Sequence, residues 1–231
     1  MINGKRVLAI TLARGGSEKI KKKNIADING KPLLQYTTDE VKKSKYVDAY
    51  VVSTDDEEII NVCKKIGVSY FRRGEEFASS TATSADALIE IAKPSSDKFY
   101  YIVEVMCTNP LKTVDDIDGC IEKIDQTEAD SVVAINRIWD NHPSRVKYIE
   151  DDLLKDFYPE VPESRRQDLI PAAYVRSGSV YVTILKNLIE FRTRLSGTVR
   201  PYVIPEDRII NIDEPNDLKM ARILLGDESI E

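Results

Sequence analysis

The sequence holds few of the residue types on which several common kinds of active site depend. It contains one histidine, His142, among 231 residues, which excludes a multi-histidine metal site and argues against a Ser-His-Asp triad. The three cysteines, Cys63, Cys107 and Cys120, lack the spacing of metal ligands, and their odd number argues against a disulfide framework. The chemistry of this chain must therefore rest on other side chains.

Excess positive charge and long apolar runs are also missing. Thirty-nine acidic and thirty-three basic residues give a net charge of −6, which argues against general binding to nucleic acids or anionic membranes, because both need a basic face. The apolar run before Arg14 has six residues, too few for a signal peptide or a membrane span. We therefore expect a cytoplasmic protein whose partners include neither nucleic acid nor a membrane.

Short β-rich runs alternate with helical patterns over the first 135 residues. Apolar, branched runs are typical of buried parallel strands and predict strands at Val7–Leu12, Ala49–Ser53, Val68–Phe71, Tyr100–Met106 and Ser131–Ile135. Periodicity and capping residues predict helices at Pro32–Lys45, at Asp56–Ile66 (with Asp55 as its N-cap) and at Ser84–Lys93. A further helix, which Thr113 and Asp116 can cap, is predicted to run to about Gln126. The alternation predicts a single α/β domain over residues 1–231, with a mostly parallel sheet flanked by helices.

The alternation breaks after the fifth predicted strand. Residues from about 136 to 173 are polar, charged and contain proline, which predicts an inserted arm, such as a lid or an oligomer contact. Regular elements are then predicted at Ser179–Thr183 (strand), Leu185–Arg192 (helix), Arg208–Ile212 (strand) and Pro215–Leu225 (helix).

The loop after the first strand, ARGGSEKIKKKN, combines two glycines with many basic side chains. In an open α/β sheet, ligands bind beyond the carboxyl ends of the strands. Gly15 and Gly16 allow backbone amides to approach an oxygen-rich ligand, while Arg14 and Lys23 can neutralise phosphate charge. From the residues alone, a polyphosphate site and an ordinary solvated basic loop both remain open.

Ordered blocks along almost the whole chain resemble the acylneuraminate cytidylyltransferases, the CMP-sialic acid synthetases. The opening loop is similar to the family signature ARGGSKGIPxKN, and EVMCTNP stands for LLQPTSP. Further similar blocks are VVSTDDEEI, RRGEEFASSTATSADALI, TNPLKTVDDID, HPSR, SRRQDL, YVRSGSVY and INIDEPNDL. The resemblance implies a Rossmann-like nucleotidyltransferase fold and an enzyme that joins CMP from CTP to the anomeric hydroxyl of a nonulosonic 2-keto acid, releasing pyrophosphate.

The resemblance also implies a nucleotide site. Arg14 and Lys23 would act on the phosphates, within a loop made of Ala13, Arg14, Gly15, Gly16, Ser17, Lys23 and Asn24. Cytosine would be read by Arg73, Ala82 and Ser84, although residues 81–84 would equally cap the following helix. Glu18 stands where the family has lysine, so we expect it to point away from the phosphates and Lys19, or Lys21 to Lys23, to supply the displaced charge.

For a metal, Mg²⁺ or Mn²⁺, the family's paired aspartates correspond to Asn211 and the catalytic Asp213. The amide of Asn211 predicts weaker metal binding, and Asp213 could instead be only the N-cap of the last helix. The implied sugar-side residues are Met106, Arg145, Arg166, Ser177 and Tyr181. Met106 replaces a glutamine, so the acceptor is expected to differ from N-acetylneuraminic acid at or near its N-acyl group, as a legionaminic, pseudaminic or related di-acylated acid would.

The remaining expectations concern the arm and the rival functions. Aromatic residues of the arm suit a homodimer interface, through which Arg166 would act partly in trans. His142 and Cys107 are expected to be structural. The alternatives are a relative that uses Kdo or another NTP, and a nucleotide-binding module without catalysis.

Overall fold

The computed structural model describes residues 1–78, 82–159 and 165–226. The strands in these ranges are β1 (Val7–Leu12), β2 (Asp27–Ile28), β3 (Lys31–Pro32), β4 (Ala49–Thr54), β5 (Ser69–Arg72), β6 (Tyr101–Val105), β7 (Ser131–Ile138), β8 (Lys147–Glu150), β9 (Leu153–Asp156), β10 (Ala173–Ile184) and β11 (Val199–Val203). The α-helices are α1 (Leu33–Lys43), α2 (Glu57–Lys65), α3 (Glu75–Ala78), α4 (Ser84–Ala92), α5 (Val114–Thr127), α6 (Leu185–Phe191) and α7 (Pro215–Gly226).

Seven of these strands form the central sheet, in the order β11-β7-β10-β6-β1-β4-β5. Every neighbouring pair is parallel except those made by β10, which runs antiparallel to β6 and β7. The predicted mostly parallel sheet is therefore confirmed. The chain moves from β1 towards β5 and then returns to the other side of β1, so the strand order reverses at β1. In α/β sheets a ligand crevice forms at such a reversal.

The central strands are covered on both faces, in agreement with the apolar sequence of β1. The pleat sends successive side chains to opposite faces. Ala9 belongs to a buried cluster with Ile121 of α5, whereas Ile10 belongs to a second cluster with Leu88 of α4 and Leu188 of α6. This two-sided burial explains why the strand is continuously apolar rather than alternating. Among the described residues, no helix is long and apolar enough to cross a membrane.

The predicted strand at Arg208–Ile212 is wrong. A short 3-10 turn at Glu206–Arg208 leads into extended chain there, and Ile210 and Ile212 are buried against α7 without forming a ladder. The strand that does form in this region is β11, at the edge of the sheet beside β7. Its sequence, VRPYV, contains arginine and proline, which an edge strand tolerates. Because these two residues interrupt the apolar run, the strand was not predicted from the sequence.

The predicted N-cap is wrong for α2 and correct for α5. The carboxylate of Asp56, not Asp55, caps α2 by accepting from the backbone N–H groups of Glu58 and Ile59 at 2.8 and 3.2 Å. The capping box of Thr113 and Asp116 at the start of α5 is confirmed. The Asp55 carboxylate instead accepts from the backbone N–H of Gly15.

The arm predicted at residues 136–173 contains regular structure. Strand β7 extends to Ile138, the antiparallel hairpin β8–β9 follows, and β10 begins at Ala173. Residues 160–164, and with them the first residue of the SRRQDL block, lie outside the described residues. The hairpin exposes large apolar side chains, including Ile149 at 75% and Leu154 at 72% of their surface.

Candidate functional site

Two adjoining cavities open beyond the carboxyl end of β1, where the strand order reverses. The loop cavity, of about 480 Å³, is lined by Leu12, Arg14, Ser17, Glu18, Lys19, Lys23, Asn24, Thr108 and Asp213. The α4 cavity, of about 350 Å³, is lined by Leu12, Arg14, Arg73, Phe77, Ala82, Thr83, Ser84, Ala87, Glu104 and Met106. Because Leu12 and Arg14 belong to both walls, the two cavities form one cleft with Arg14 at its middle.

The loop after β1 is held in shape by its own chain. The buried amide of Asn24 donates to the carbonyl of Arg14 at 2.9 Å and accepts from the thiol of Cys107 at 3.0 Å. The amide of Gly15 donates to the carboxylate of Asp55 at 2.9 Å. A Cβ at Gly15 would lie 2.5 Å from Asp56, so only glycine fits this crossing.

The predicted loop residues therefore divide into two groups. Arg14, Ser17, Lys23 and Asn24 line the loop cavity. Ala13, Gly15 and Gly16 are not part of its wall; Ala13 is buried, and its amide donates to Ser53 at 2.8 Å. Their backbone sets the course of the loop that presents Arg14.

Only some of the basic residues of the loop line the cavity. Lys19 and Lys23 line it, whereas Lys22 forms ion pairs with Asp56, the N-cap of α2, and with Glu58 in its first turn. Glu18 also lines the cavity, and its orientation away from the phosphates stays a prediction. Lys19, which pairs with Glu214, is the nearest candidate to supply the charge that the family's lysine would carry.

Lys23 and Asp213 join the loop to the segment before α7. The ammonium of Lys23 donates to Asp213 Oδ1 at 2.8 Å and to the carbonyl of Ile212 at 2.9 Å. The amide of Asn211 donates to the other carboxylate oxygen, Asp213 Oδ2, at 2.5 Å. Both oxygens of Asp213 are therefore already hydrogen-bonded.

Asp213 is not the N-cap of the last helix. The carboxylate of Asp217, inside the first turn of α7, accepts from the backbone N–H groups of Asp213 and Glu214 at 2.9 and 2.7 Å. These backbone hydrogen bonds lower the pKa of Asp217. The Asp213 side chain is consequently free of a capping role and turns to the cavity.

The α4 cavity is built around a buried arginine. Arg73 follows β5, and its guanidinium donates from Nε to Ser53 Oγ and from Nη2 to the Ser53 carbonyl, both at 3.0 Å. Burial lowers its pKa, but the group remains charged because the ordinary value is so high. Ala82 and Ser84 face Arg73 in the same wall. The predicted group of three residues therefore comes together at one cavity.

The loop before α4 performs the capping role as well. Thr83 caps the helix: its hydroxyl accepts from the amide of Asp86, whose carboxylate accepts from Thr83 in return. Thr81, which was predicted to be part of this cap, lies outside the described residues. A capped loop presents Ala82 and Ser84 in a fixed conformation, so capping and cavity lining coexist.

A family model described as cytidylyltransferase matches residues 8–224 of the chain. The chain belongs to the cytidylyltransferase family. It is 33% identical over 224 residues to a pseudaminic acid cytidylyltransferase of Campylobacter jejuni, covering 94% of this chain and 95% of that protein. It is also 25% identical over 213 residues to an N-acylneuraminate cytidylyltransferase of Streptococcus agalactiae, covering 91% of this chain and 51% of that protein.

Solved structures share the fold of this cytidylyltransferase. A CMP:2-keto-3-deoxy-manno-octonic acid synthetase in complex with CTP aligns with a TM-score of 0.72 over 97% of this chain and 100% of that chain, at 16% identity. A 4-diphosphocytidyl-2C-methyl-D-erythritol synthase of Anaerococcus prevotii aligns with a TM-score of 0.69 over 97% and 98%, at 17% identity. The predicted Rossmann-like nucleotidyltransferase fold and CTP-dependent enzyme class are confirmed.

The predicted sugar-side residues are not all brought to the cleft. Met106 lines the α4 cavity, but Ser177 is buried and hydrogen-bonded to the Ala134 carbonyl at 3.0 Å. Tyr181 is buried beneath the guanidinium of Arg194, which lies 4.1 Å from the ring centroid. Neither Ser177 nor Tyr181 belongs to the wall of either cavity.

The two predicted sugar-side arginines of the cytidylyltransferase lie together in the arm. Nη1 of Arg166 is 3.2 Å from one oxygen of Asp140, and Nη1 of Arg145 is 3.8 Å from the other. Neither arginine lines the loop cavity or the α4 cavity within the same chain. Arg145 and Arg166, which the resemblance implied for the sugar side, therefore lie close to each other but outside the cleft of their own chain.

The residues available for a metal are few. Among the described residues, no group of three or more histidine, cysteine, aspartate or glutamate side chains is arranged to hold an ion. Asp213 offers a carboxylate in the wall of the loop cavity, and rotation of the Asn211 amide, whose nitrogen now contacts Asp213 Oδ2, would bring an amide oxygen beside it. Such a pair fits Mg²⁺, which commonly takes one or two protein carboxylates and completes its shell with phosphate and water.

Glu104, a carboxylate in the wall of the α4 cavity, is not among the site residues predicted from the sequence. The available signal was its position in the EVMCTNP block, where the family pattern has leucine. His142 and Cys107 have the expected structural contacts. The His142 ring is hydrogen-bonded to Ser144 Oγ at 2.8 Å and to the Pro171 carbonyl at 2.9 Å, and burial raises the pKa of Cys107 to about 11.

Proposed function

We propose that this cytidylyltransferase transfers CMP from CTP to the anomeric hydroxyl of a nonulosonic acid and releases pyrophosphate. The observation that carries the proposal is the single cleft in which Arg14 stands between a base-sized cavity at Arg73 and a polar cavity at Lys23 and Asp213. The choice of a nonulosonic acid is supported by the 33% identity, along nearly the whole chain, to a pseudaminic acid cytidylyltransferase.

In this assignment the α4 cavity holds cytosine and the loop cavity holds the triphosphate. The Arg73 side chain is fixed by Ser53, so its remaining N–H groups meet the base without further ordering. Backbone and hydroxyl groups of Ala82 and Ser84 complete the set of donors and acceptors that a pyrimidine edge needs. The α-phosphate, which lies between base and leaving group, then falls beside Arg14.

The reaction needs no covalent intermediate on the protein. Phosphoryl and nucleotidyl transfer depend mainly on positioning and on stabilising the charge that develops on phosphate oxygens. Arg14 supplies a planar guanidinium at the junction, and Lys23 supplies a point charge held in place by Ile212 and Asp213. Loss of one preorganised donor in such a site costs about 3–4 kcal/mol of barrier, by analogy with oxyanion holes.

Asp213 and Asn211 would hold the divalent cation, Mg²⁺ or Mn²⁺. When bound, the cation neutralises negative charge on the triphosphate and on the leaving pyrophosphate. Lys23 and Asn211 each donate to one oxygen of Asp213, so the cation would take a lone pair that these hydrogen bonds leave open or would replace one of the donors. The single full negative charge of the pair predicts a weaker site than two aspartates would make.

We further infer that the protein is a homodimer assembled through the arm. The β8–β9 hairpin exposes Ile149, Leu153 and Leu154 together, an apolar surface that a monomer would leave in water. Arg145 and Arg166 lie in the same arm, outside the cleft of their own chain. A dimer would carry these arginines to the partner's cleft, where a bidentate contact with the acceptor carboxylate is available.

The proposal is tested by pyrophosphate release with Lys23→Met and a matched control. Lys21→Met makes the same substitution two residues earlier, at an exposed lysine outside both cavity walls. We expect Lys23→Met to lose about 10²–10³-fold in kcat with CTP and the nonulosonic acid, and Lys21→Met to stay within twofold of wild type. Equal rates for the two variants would contradict the phosphate role of the loop cavity.

Oligomeric state and the role of the arm are tested separately. Light scattering should give twice the mass of the chain for wild type, and a monomer for Ile149→Asp/Leu154→Asp. Mixing Arg166→Ala subunits with inactive Arg14→Ala subunits should restore part of the activity, since one mixed cleft then contains both arginines. A monomeric wild type, or no restoration in mixed dimers, would overturn this part of the proposal.

A further inference from the structure

Arg73 and Glu104 are buried side chains of opposite charge in the wall of the α4 cavity. The guanidinium of Arg73 makes its hydrogen bonds with Ser53, and the carboxylate of Glu104, which is 2% exposed, makes its ion pair with Arg194. The charges of Arg73 and Glu104 act on each other through space, but these two described residues form no ion pair with each other. A ligand in the cavity can therefore contact both charges.

The sheet separates the anchors of these two side chains. Ser53, which holds Arg73, is on β4, Glu104 is on β6, and β1 lies between the two strands. Since neighbouring strands lie about 4.8 Å apart, β4 and β6 are about 10 Å apart. A flat heterocycle with a hydrogen bond of about 3 Å on either side fits a gap of this size. Leu12 of β1 lines the same cavity and offers the ring an apolar surface.

A guanidinium and a carboxylate together match cytosine better than uracil. Cytosine presents a 4-amino donor beside the N3 and O2 acceptors, whereas uracil presents a 4-carbonyl acceptor and an N–H at N3. The guanidinium of Arg73 can only donate, and an ionised Glu104 can only accept. Such a pair therefore satisfies the edge of cytosine, but it would place the 4-carbonyl of uracil against a second acceptor.

We propose that Glu104 selects CTP over UTP by accepting a hydrogen bond from the 4-amino group of cytosine, while Arg73 donates to the O2 and N3 side. This inference rests on the proposed function, because that function places cytosine in the α4 cavity. The 4-amino group has two N–H bonds. Glu104 can therefore accept from one of them without displacing a contact that the loop before α4 makes with the other.

Arg194 is the residue that positions Glu104. Its guanidinium forms an ion pair with Glu104 Oε2 and stacks on Tyr181, which is paired in register with Glu104 across β6 and β10. A carboxylate has about four lone-pair sites, so the ion pair leaves room for a hydrogen bond from the base. Burial raises the pKa of Glu104, and the charges of Arg194 and Arg73 oppose this rise. Both protonation states keep an oxygen that can accept from the amino group.

The selectivity follows from the cost of a buried acceptor that has lost its donor. Uracil would displace water from Glu104 and return no hydrogen bond at its 4-position. Sites built to hydrogen-bond a substrate group reject analogues without that group far more strongly than apolar pockets reject an extra group. The contact with Glu104 therefore acts on the choice of nucleotide and leaves the choice of sugar acid unaffected.

The experiment compares CTP with UTP and with the triphosphate of pyrimidin-2-one riboside. The last nucleotide keeps the O2 and N3 acceptors of cytosine but lacks the 4-amino group, so it tests the Glu104 contact separately from that of Arg73. Nucleotide binding is measured by calorimetry without a sugar acid, and kcat/KM is measured by pyrophosphate release with a nonulosonic acid. We expect wild type to favour CTP over both analogues by at least about 100-fold.

The variant Glu104→Leu/Arg194→Met removes both charges together, so that neither is left buried alone. Glu57→Leu/Arg72→Met makes the same two substitutions at an exposed ion pair outside both cavity walls and is the control. We expect the first variant to lose at least about tenfold of the preference for CTP over either analogue, with an unchanged KM for the sugar acid. The control should keep the whole preference.

Melting temperatures of both variants identify any loss of folding. If the double variant does not fold, Glu104→Gln carries the comparison. Its amide can turn either an oxygen or a nitrogen towards the base, so we expect it to lower the preference for CTP over UTP by at least about tenfold.

The possible outcomes separate this inference from the proposed function. An unchanged preference for CTP in the folded variant, with pyrophosphate still released, overturns the inference alone, as does a changed preference among sugar acids without one among nucleotides. A preference for CTP that falls in the variant's binding, without turnover on any sugar acid, supports the inference and removes the proposed transfer. Failure of wild type to bind CTP overturns both.

Discussion

Asn211 stands where a second aspartate would strengthen the metal site beside Asp213. We therefore expect Asn211→Asp to bind Mg²⁺ more tightly and to be less stable than wild type when Mg²⁺ is absent. The Asn211 amide nitrogen is 2.5 Å from Asp213 Oδ2, so the substitution replaces a hydrogen-bond donor with a second carboxylate at close range. Two unit charges about 4 Å apart repel by about 1 kcal/mol in water and about 4 kcal/mol at an effective dielectric constant of 20. Because the Asp213 side chain is 58% exposed, we expect the lower end, about 1–2 kcal/mol.

The same repulsion is relieved when a cation binds between the two carboxylates. The affinity for Mg²⁺ should therefore rise by at least about 1–2 kcal/mol, which corresponds to about 5–30-fold. The measurements are the Mg²⁺ concentration that gives half-maximal pyrophosphate release and the Mg²⁺-induced rise in melting temperature. Without Mg²⁺, the variant should melt below wild type.

Asn216→Asp is the matched control for this prediction. It adds the same charge on the exposed first turn of α7, at a residue outside the loop cavity wall. We expect its half-saturating Mg²⁺ concentration to stay within twofold of wild type. The reasoning would be refuted if Asn211→Asp and Asn216→Asp responded equally to Mg²⁺, since long-range charge alone would then explain both.

Three further predictions concern the cleft and its support. Arg14→Ala should lower kcat/KM by about 10²–10³-fold without changing the melting temperature, because the residue is exposed at a strand end; a wild-type rate would remove its phosphate role. Met106→Gln should shift preference towards N-acetylneuraminic acid, and unchanged relative kcat/KM values across sugar acids would contradict this. Burial lowers the pKa of Lys112 to about 7 from an ordinary 10.5, so the unfolded chain binds more protons between these values. The free energy of unfolding of wild type, relative to Lys112→Met, should therefore rise by about 1.4 kcal/mol per pH unit from pH 7 to 10; a pH-independent difference in urea unfolding would contradict it.

The parts of the fold that could be predicted are those determined by residues close together in the sequence. The strand at Val7–Leu12 is apolar throughout because both of its faces are covered, and that burial is visible in the sequence. The capping box of Thr113 and Asp116 spans four residues and is equally readable. By contrast, β11 depends on a neighbour nearly seventy residues earlier in the chain, and its arginine and proline give no local signal.

The candidate site shows the same division. The glycine-containing loop and its position after β1 were predictable, because the topology rule needs only the strand pattern. The contacts of Lys23 with Asp213 and of Arg194 with Glu104 join residues far apart in sequence, so no spacing reveals them. The same limit applies to Glu18, whose place in the cavity wall depends on the course of the folded loop.

The measurement that tests the central claim most directly is pyrophosphate release with Mg²⁺ and CTP across a panel of nonulosonic acids, with Kdo and the other NTPs as controls. The proposed function predicts release that requires CTP together with a nonulosonic acid and that falls at least tenfold when either is replaced by a control. Tight CTP binding without release on any acceptor would contradict catalysis, and faster release with Kdo or another NTP would contradict the assigned substrates.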